Sequence, residues 1–236
     1  MKHPGFALFM LVLYGAVFFS CSTVPPERGR LPPEREPELS GVVPPPERPA
    51  PEVPLGILGK GRVPADTLAR FLGEINPQAD RGQVEQLAAF YIEEADAEGV
   101  NHDVAFAQMC LETGFLRYGG LVTPDMNNFC GLGAIGLTQP GERFPDPRIG
   151  VRAHIQHLKA YATDRPLNRA LVDPRYRWVR YGSAPTIRGL SGTWAADREY
   201  GDKIENILER LYRYSYGDSL DNLDEKPGEP PGEESV

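Results

Sequence analysis

Apolar residues recur with the period of an α-helix along much of the chain. From Asp80 onward they form one stripe, which contains Val84, Leu87, Ala88, Tyr91, Ile92 and Ala95. Gln83 follows Asp80 by three residues, as in a capping box that begins a helix. Gly99 comes directly after the stripe, where a left-handed residue would end the helix. The pattern predicts a helix between Asp80 and Gly99.

Three further segments have the same helical spacing. Asn101 precedes an apolar run that Gly114 ends, which predicts a helix over His102–Thr113. Two more helices are expected at about residues 149–162 and 198–214. The last of these has an apolar stripe that should face inward, made of Ile204, Ile207, Leu208 and Leu211.

Strand signals are almost absent from the same region. A short extended piece at about residues 136–144 is the one exception, and no internal repeat is visible. The chain has 236 residues, enough for one substantial domain with flanking segments. We therefore predict a mainly α domain at residues 63–216.

The N-terminus has the pattern of an export signal, predicted at residues 1–20. Lys2 precedes an apolar run at residues 6–19, shorter than the ~20 residues of a membrane-spanning helix. Ser20 and Cys21 resemble the lipobox of a bacterial lipoprotein, although two Phe replace the usual Leu-Ala/Ser pattern before Ser20. We expect an exported protein, anchored to a membrane through lipid on Cys21, in the periplasm or cell envelope. A plain secretory peptide is the alternative.

Two flanking segments are too polar to fold. Residues 25–54 contain eleven prolines among Glu and Arg and no aromatic residue, so they cannot bury enough apolar surface to offset their ordering entropy. Proline favours an extended spacer of ~3.1 Å per residue, so residues 21–62 are interpreted as a tether. A ligand for a proline-recognition module is the alternative. Residues 217–236 hold seven acids against Lys226 and are expected to form a disordered tail.

Charge argues against a nucleic-acid partner, because the formal net charge is −8. Residues 65–142 hold twelve acids and three bases, whereas residues 143–188 hold ten bases and three acids. The basic part could face a polyanionic wall polymer. Alternatively, the basic part is a solvated surface whose charge the acidic part offsets, which is the interpretation that we favour. We expect a monomer.

Glu112 is the candidate for acid catalysis. It lies in the last turn of the helix that Gly114 ends, among Phe106, Met109, Leu111 and Phe115. Apolar surroundings and the negative end of the helix dipole both disfavour its charged form, so its pKa should rise towards that of a general acid. Gln108, one turn earlier, is placed to hydrogen-bond Glu112 or a ligand. A solvent-facing glutamate that happens to end a helix is the alternative.

Four segments resemble, in order, the glucosaminidase domain of glycoside hydrolase family 73. They are "VAFAQMCLETGF", "MNNFCGLGA", "RIGVRAHIQHLKAYA" and "GTWAADREYGDKI", within residues 80–214. The resemblance implies a lysozyme-like α fold and hydrolysis of the N-acetylglucosaminyl β-1,4 bond of peptidoglycan. Glu112 matches the family's catalytic acid, and Tyr200 matches a tyrosine beside its cleft, with a packed aromatic as the alternative. A muramidase, a lytic transglycosylase and a non-catalytic wall-binding module are the rival functions.

The resemblance fails at one place, the β-hairpin lobe that usually supplies a second carboxylate. Only about fifteen residues separate Gly133 from Ile149, so the lobe must be reduced. Glu142 is the favoured second carboxylate, with Asp146 and Asp125 as alternatives. Substrates with a 2-acetamido group can instead supply their own nucleophile. Whether a water near Glu142 or Tyr200 attacks directly stays open.

The remaining candidates concern substrate binding. Asn127 and Asn128 tolerate left-handed backbone and bind neighbouring amides, so they should shape the floor of the cleft. Phe129 in the same turn, together with Gln108, is grouped with them. Trp194 is expected to stack on a sugar ring or to belong to the core.

Cysteines and histidines complete the candidates. Cys110 and Cys130 would either form a disulfide, closing a loop of ~20 residues worth ~3 kcal/mol, or remain buried thiols. His102, His154 and His157 lack metal-ligand spacing and are interpreted as surface or packing residues. We expect no metal and no cofactor.

Overall fold

The computed structural model of the chain describes residues 52–217, and the statements below concern this part. It contains five α-helices: α1 (Ala65–Ile75), α2 (Arg81–Glu98), α3 (His102–Thr113), α4 (Pro147–Ala162) and α5 (Tyr200–Ser215). Three short 3₁₀ helices span Pro124–Met126, Tyr176–Trp178 and Ile187–Leu190. Extended segments within the described residues meet only in isolated β-bridges. The prediction of a mainly α domain is confirmed.

Helices α2 and α3 begin and end where their capping residues predict. The Asp80 side chain accepts a hydrogen bond from the backbone N–H of Gln83 at 2.7 Å, and Gly99 adopts a left-handed φ of 72°. Asn101 caps α3 through its side-chain oxygen, and Gly114 ends it with a φ of 56°. These caps act within a few residues, which explains why the sequence pattern locates both helices accurately.

The starts of the other helices differ from the prediction. Helix α4 begins two residues before the prediction, because the Asp146 side chain accepts a hydrogen bond from the backbone N–H of Ile149 at 2.9 Å. Helix α5 begins at Tyr200, two residues after the expected start. Helix α1 was not predicted. Pro64 precedes it without any side-chain cap, so the usual start signal is missing.

The core surrounds α3. All of its residues from His102 to Cys110 are buried, and the helix packs against α2, α4 and α5. The predicted stripe of α2 is buried except for the partly exposed Ile92, and the four predicted residues of α5 are buried. Because α3 is surrounded by other helices, the residues of its last turn lie at the edge of the core.

The packed domain begins before Val63, where the sequence prediction placed its start. Ile57 is fully buried, and its N–H donates to the Pro185 carbonyl at 3.0 Å. Its own carbonyl accepts a hydrogen bond from Asn101 at 2.8 Å. The expected extended piece at residues 136–144 is instead a loop that contains one bridge, between Gly136 and Gln139.

Acidic and basic segments neutralise each other between α2 and α4. The buried carboxylate of Glu94 accepts hydrogen bonds from Arg148 at 3.1 Å and from Arg152 at 2.8 Å. The Glu98 carboxylate pairs with Lys159 at 2.8 Å. Because a buried charge is stable only when it is paired, these contacts support the interpretation that the basic segment is offset by the acidic one.

Several sequence predictions concern residues outside the described range. They are the signal peptide, lipidation of Cys21, most of the tether and nearly all of the acidic tail. Between residues 52 and 217, no helix has the length and apolar character needed to cross a membrane.

Candidate active site

Three residues that are far apart in the chain meet at the end of α3. The Glu112 carboxylate oxygen Oε1 accepts a hydrogen bond from Trp194 Nε1 at 3.0 Å and a short hydrogen bond from the Tyr200 hydroxyl. Trp194 lies in the loop before α5, and Tyr200 is the first residue of α5. The structure therefore joins the predicted acid to Trp194 and Tyr200, two other residues that the sequence analysis singled out.

A left-handed turn follows Glu112 immediately. Gly114, Phe115 and Leu116 have φ values of 56°, 57° and 60°. Left-handed backbone at a bulky residue costs on the order of 1–3 kcal/mol, so other contacts must hold it. Asn76, at the end of α1, donates from Nδ2 to the Phe115 carbonyl at 2.8 Å. The turn ends α3 abruptly and leaves Glu112 at the rim of the core.

The pKa of Glu112 is raised, as the sequence predicted. The surrounding protein removes water from the carboxylate, and the hydrogen bonds from Tyr200 and Trp194 only partly oppose this effect. The residue as a whole is nevertheless exposed to solvent, so the loss of water around its carboxylate is only partial. The prediction considered only residues near Glu112 in the chain. In the structure its hydrogen-bond partners, Trp194 and Tyr200, come from distant parts of the chain. Both donors are neutral, so they hold the carboxylate without adding positive charge.

Gln108 was expected to hydrogen-bond Glu112 or a ligand, but it reaches Glu112 only through Tyr200. Its Nε2 donates to the Tyr200 hydroxyl at 2.8 Å, and its Oε1 lies 2.9 Å from His154 Nε2. The other ring nitrogen of His154, Nδ1, lies 2.9 Å from the Tyr91 hydroxyl. A chain of four hydrogen bonds thus connects Tyr91 in α2 to Glu112.

All four hydrogen bonds donate in the same direction, from Tyr91 towards Glu112. Because Gln108 Oε1 is an acceptor, His154 must carry its proton on Nε2 and accept from Tyr91 at Nδ1. Burial lowers the pKa of His154 to about 3, so the ring is neutral. Burial and the nearby Glu112 carboxylate raise the pKa of Tyr200. Tyr200 therefore keeps its proton and donates it in the hydrogen bond to Glu112.

Three neighbouring rings hold the Trp194 side chain in place. Its ring is partly buried and packs against the rings of His154, His157 and Tyr161, with centroid distances of 5.9, 5.1 and 5.4 Å. Its role in sugar stacking stays a prediction. The hydrogen bond to Glu112 is a contact that the sequence did not indicate, since it depends on how the loop before α5 packs on α3.

The two asparagines of the turn bind backbone groups. Asn127 has a left-handed φ of 50° and donates from Nδ2 to the carbonyl of Phe144 at 3.0 Å. Asn128 accepts from the Leu132 N–H and donates to the Leu132 carbonyl, both at 2.9 Å, and also donates to the Glu142 carbonyl. Both side chains thus hold the shape of the loop that passes below Glu112.

Three residues grouped with substrate binding are buried: Asn128 is 1% exposed, and Gln108 and Phe129 have no exposed surface. The polar atoms of Gln108 are engaged within the protein, and Phe129 belongs to the main core. Neither presents a surface to a ligand, so their contribution to binding would be indirect.

The three candidates for a second carboxylate have different surroundings. Glu142 Oε1 lies 3.3 Å from Arg175 Nε, and its side chain is partly exposed. Asp146 caps α4, which explains its place in the sequence. Asp125 is exposed and pairs with Arg143 at 2.7 Å. Only Glu142 lies against the loop at residues 131–133, where a Cβ on Gly133 would come 2.9 Å from Glu142 Oε1.

A cleft of about 250 Å³ is lined by Trp194, which donates a hydrogen bond to Glu112, although Glu112 is not itself one of the lining residues. The loop at residues 130–135 lines it, together with Arg175 and the rings of Tyr161, Trp178 and Trp194. Gly131 belongs to this loop, and a Cβ there would lie 3.5 Å from Glu112 Oε2. Sequence reasoning did not single out Trp178. A tryptophan in the basic, polar segment "RYRWVRYG" was the available indication.

The disulfide alternative is wrong. Cys110 and Cys130 are both buried free thiols, and Cys130 Sγ points towards Asn128 Oδ1 at 4.0 Å. Burial raises the pKa of both thiols well above the usual value, so neither is a reactive thiolate.

The histidines are packing residues, and none of the three lies on the surface. His102 contacts the Val63 carbonyl at 3.1 Å, and His157 Nδ1 pairs with Asp173 at 2.7 Å. His154 belongs to the chain that leads to Glu112. Among residues 52–217, no group of three His, Cys, Asp or Glu side chains is arranged to hold a metal ion.

Comparison with known proteins gives two similarities. The family model Glucosaminidase, described as mannosyl-glycoprotein endo-beta-N-acetylglucosaminidase, matches residues 88–213. An uncharacterized protein of Borreliella burgdorferi (strain ATCC 35210 / DSM 4680 / CIP 102532 / B31) is 42% identical over 159 residues, which cover 67% of this chain and 78% of that protein. The family match contains Glu112, Trp194 and Tyr200.

Proposed function

This chain belongs to the glucosaminidase family of glycoside hydrolases, and from that premise we propose that it cleaves the N-acetylglucosaminyl β-1,4 bond of peptidoglycan glycan strands. One observation carries the proposal: the Glu112 carboxylate has a raised pKa and two neutral donors on one oxygen, and one of these donors, Trp194, lines an open cleft. A general acid that works near neutral pH needs this environment.

The proton of Glu112 has a defined place. Oε1 already accepts hydrogen bonds from Trp194 and Tyr200, so the acidic proton belongs on Oε2, beside Gly131. In the proposed step Oε2 gives this proton to the leaving glycosidic oxygen as the bond to C1 breaks. The two donors remain on Oε1 and stabilise the negative charge that the carboxylate acquires.

Tyr200 serves as a positioning donor in this mechanism. Its hydroxyl accepts from Gln108 and donates to Glu112, and its raised pKa keeps it protonated. These features favour orientation of the Glu112 carboxylate over activation of a water by Tyr200. Gln108 and His154 act through Tyr200 and fix where its hydroxyl lies.

The nucleophile is proposed to come from the substrate. Glu142 is held in an ion pair with Arg175, whereas the 2-acetamido group of the sugar can attack C1 from its own carbonyl oxygen. Attack forms a C1–O bond while the glycosidic bond breaks. Water then attacks C1, the bond from C1 to the acetamido oxygen breaks, and the Glu112 carboxylate takes a proton from that water, which restores its acid form. In this route a second carboxylate is not required.

Product analysis tests the proposed bond. Mass spectrometry of sacculi digested by the purified protein should find GlcNAc at the new reducing ends. Reducing-end MurNAc would instead indicate a muramidase, and 1,6-anhydro-MurNAc a lytic transglycosylase. A protein that binds sacculi and releases no soluble fragments would be a wall-binding module, and the hydrolytic proposal would be wrong.

We also propose that the domain is held at a membrane by lipid on Cys21. The proposal rests on the export pattern of residues 1–20 and the proline-rich segment that follows. Cys21→Ala should move the protein from the membrane fraction to the soluble fraction of cells. Unchanged partition of that variant would reject the anchor.

A further inference from the structure

Trp178 is the most exposed tryptophan of the chain, and it lies in the cleft. Its side chain is 75% exposed at the end of a 3₁₀ helix (Tyr176–Trp178), and it lines the same cleft as Trp194. Trp side chains are usually well buried because of their large apolar surface. An indole left open within a cleft therefore indicates a surface that a ligand covers.

The exposed indole is held in place. The Arg175 guanidinium stacks over its ring, 4.2 Å from the centroid. Arg175 itself is only 8% exposed, and its guanidinium lies 3.3 Å from Glu142 Oε1 and 3.4 Å from the Gly133 carbonyl. Its backbone N–H donates to Asp173 at 2.8 Å. One face of the indole thus rests on an anchored cation, and its other surface stays available.

The surroundings indicate the chemistry of the ligand. The charge of Arg175 is already balanced by Glu142, so the site does not call for an anion. Ile135, 74% exposed, lines the same cleft and adds apolar surface. A flat apolar ring fixed from behind suits a ligand with a flat C–H face and polar edges, which describes a pyranose ring.

We propose that Trp178 is the stacking platform of a glycan subsite separate from the reacting position at Glu112. It would take a pyranose ring of the same strand, and this inference rests on the proposed function. A rigid platform at a distance from the bond that is cut strengthens the binding of longer strands. It does not take part in proton transfer.

Binding measurements in an inactive background test the platform. The Glu112→Gln protein, which should bind glycan without cutting it, is titrated with defined peptidoglycan glycan fragments. Adding Trp178→Ala should raise the dissociation constant about tenfold or more, as expected when an aromatic side chain that the ligand covers is lost. Adding Leu171→Ala is the matched control, because Leu171 is half exposed and does not line the cleft. It should leave binding unchanged.

A conservative variant separates stacking from disturbance of Arg175. Trp178→Phe keeps an aromatic face and should recover part of the lost affinity, while thermal unfolding should be similar for both variants. Unchanged binding of Trp178→Ala would overturn the platform. So would a Trp178→Phe protein that binds no better than the alanine variant.

Fluorescence gives an independent measurement. The chain contains two tryptophans, so adding Trp194→Phe to the Glu112→Gln protein leaves Trp178 as the sole indole while no bond is cut. Saturation with GlcNAc oligomers should shift its emission to shorter wavelength, because a sugar ring replaces water on the indole. Unchanged emission at saturation, established by calorimetry, would overturn the proposal.

The platform and the proposed function fail in different ways. Trp178-dependent binding without fragments released by the wild-type protein would reject hydrolysis and support the platform. Cleavage of sacculi that does not depend on Trp178, with normal binding by Trp178→Ala, would reject the platform alone.

Discussion

Glu112 and Glu142 lie against the same glycine-rich loop, at Gly131 and Gly133, in opposite electrostatic surroundings. Glu112 accepts hydrogen bonds from a phenol and an indole, both neutral. Glu142 faces a guanidinium, that of Arg175. The two carboxylates are close along the loop, and the difference arises from which elements pack against each of them.

The comparison shows how a carboxylate can be fixed without being held in its charged form. A cation favours the charged carboxylate, whereas a neutral donor fixes the geometry and adds only a modest stabilisation of the charge. At Glu112 the loss of water therefore still dominates, and the pKa remains raised. In the proposed mechanism Glu112 is the residue equipped to carry a proton, and Glu142 holds Arg175, which lines the cleft.

The largest effect is expected for Glu112→Gln, which keeps shape and removes the proton donor. Activity on sacculi should fall by on the order of 10²-fold or more, the usual worth of positioned proton transfer. Thermal unfolding should be unchanged or shift upward, because a neutral amide avoids the desolvation that strains the carboxylate. Binding to sacculi should persist. Near wild-type activity of this variant would make Glu112 a structural residue and the mechanism wrong.

The next effect is expected for Tyr200→Phe, which removes one donor from Glu112. Its hydrogen bond lowers the pKa of Glu112, so its loss should raise that pKa further. The protonated acid is the working form, and activity falls as pH rises through its pKa. The alkaline limb of the rate profile should therefore move to higher pH, while kcat/KM falls roughly tenfold.

Tyr214→Phe is the matched control for that variant, because the Tyr214 hydroxyl bonds Glu74 and not Glu112. Its rate profile should match that of the wild type. A Tyr200→Phe profile with an unmoved alkaline limb would show that Tyr200 does not tune the acid.

A smaller effect in the same direction is expected for Gln108→Leu. The substitution leaves Glu112 and Tyr200 in place but removes the donor to the Tyr200 hydroxyl and the acceptor of His154 Nε2. Loss of partners for buried polar groups should lower the free energy of unfolding by about 1–3 kcal/mol. Activity should fall by less than in Tyr200→Phe.

A double-mutant cycle decides whether Gln108 acts through Tyr200. Gln108→Leu should add little to the activity loss of Tyr200→Phe, because one path carries both effects. Additive losses in kcat/KM would mean that the hydrogen-bond chain does not transmit to Glu112.

The smallest effect on catalysis is expected for Glu142→Gln. The amide keeps the shape of the side chain but weakens the partly exposed ion pair with Arg175, which is worth about 1 kcal/mol or less. The loss should appear mainly in KM, with kcat reduced only a few fold. A fall in kcat as large as that of Glu112→Gln would restore Glu142 as a second catalytic carboxylate.

Local chemistry explains which elements were predictable. Asp80 with Gly99, and Asn101 with Gly114, act on backbone groups within a few residues, so α2 and α3 could be located from sequence. Helix α1 lacks such a cap and was missed. The family motif likewise identified Glu112, because the motif is a contiguous stretch of chain.

The neighbours of Glu112 could not be derived in the same way. Trp194 and Tyr200 lie 82 and 88 residues beyond it, and they meet it only because α5 packs on α3. The same holds for Gln108, whose face was predictable but whose partner Tyr200 was not. Periodicity tells which side of a helix is apolar, but it does not tell which side chain of another element lies opposite.

The sequence by itself determined the helical character of this domain, the boundaries of two helices and the position of the candidate acid. Tertiary structure alone decided that Cys110 and Cys130 are free thiols, that the three histidines of residues 52–217 are buried, and that two neutral donors bind Glu112. Capping and periodicity depend on contacts over a few residues. The pKa of a carboxylate depends on every group packed around it, and long-range packing brings those groups together.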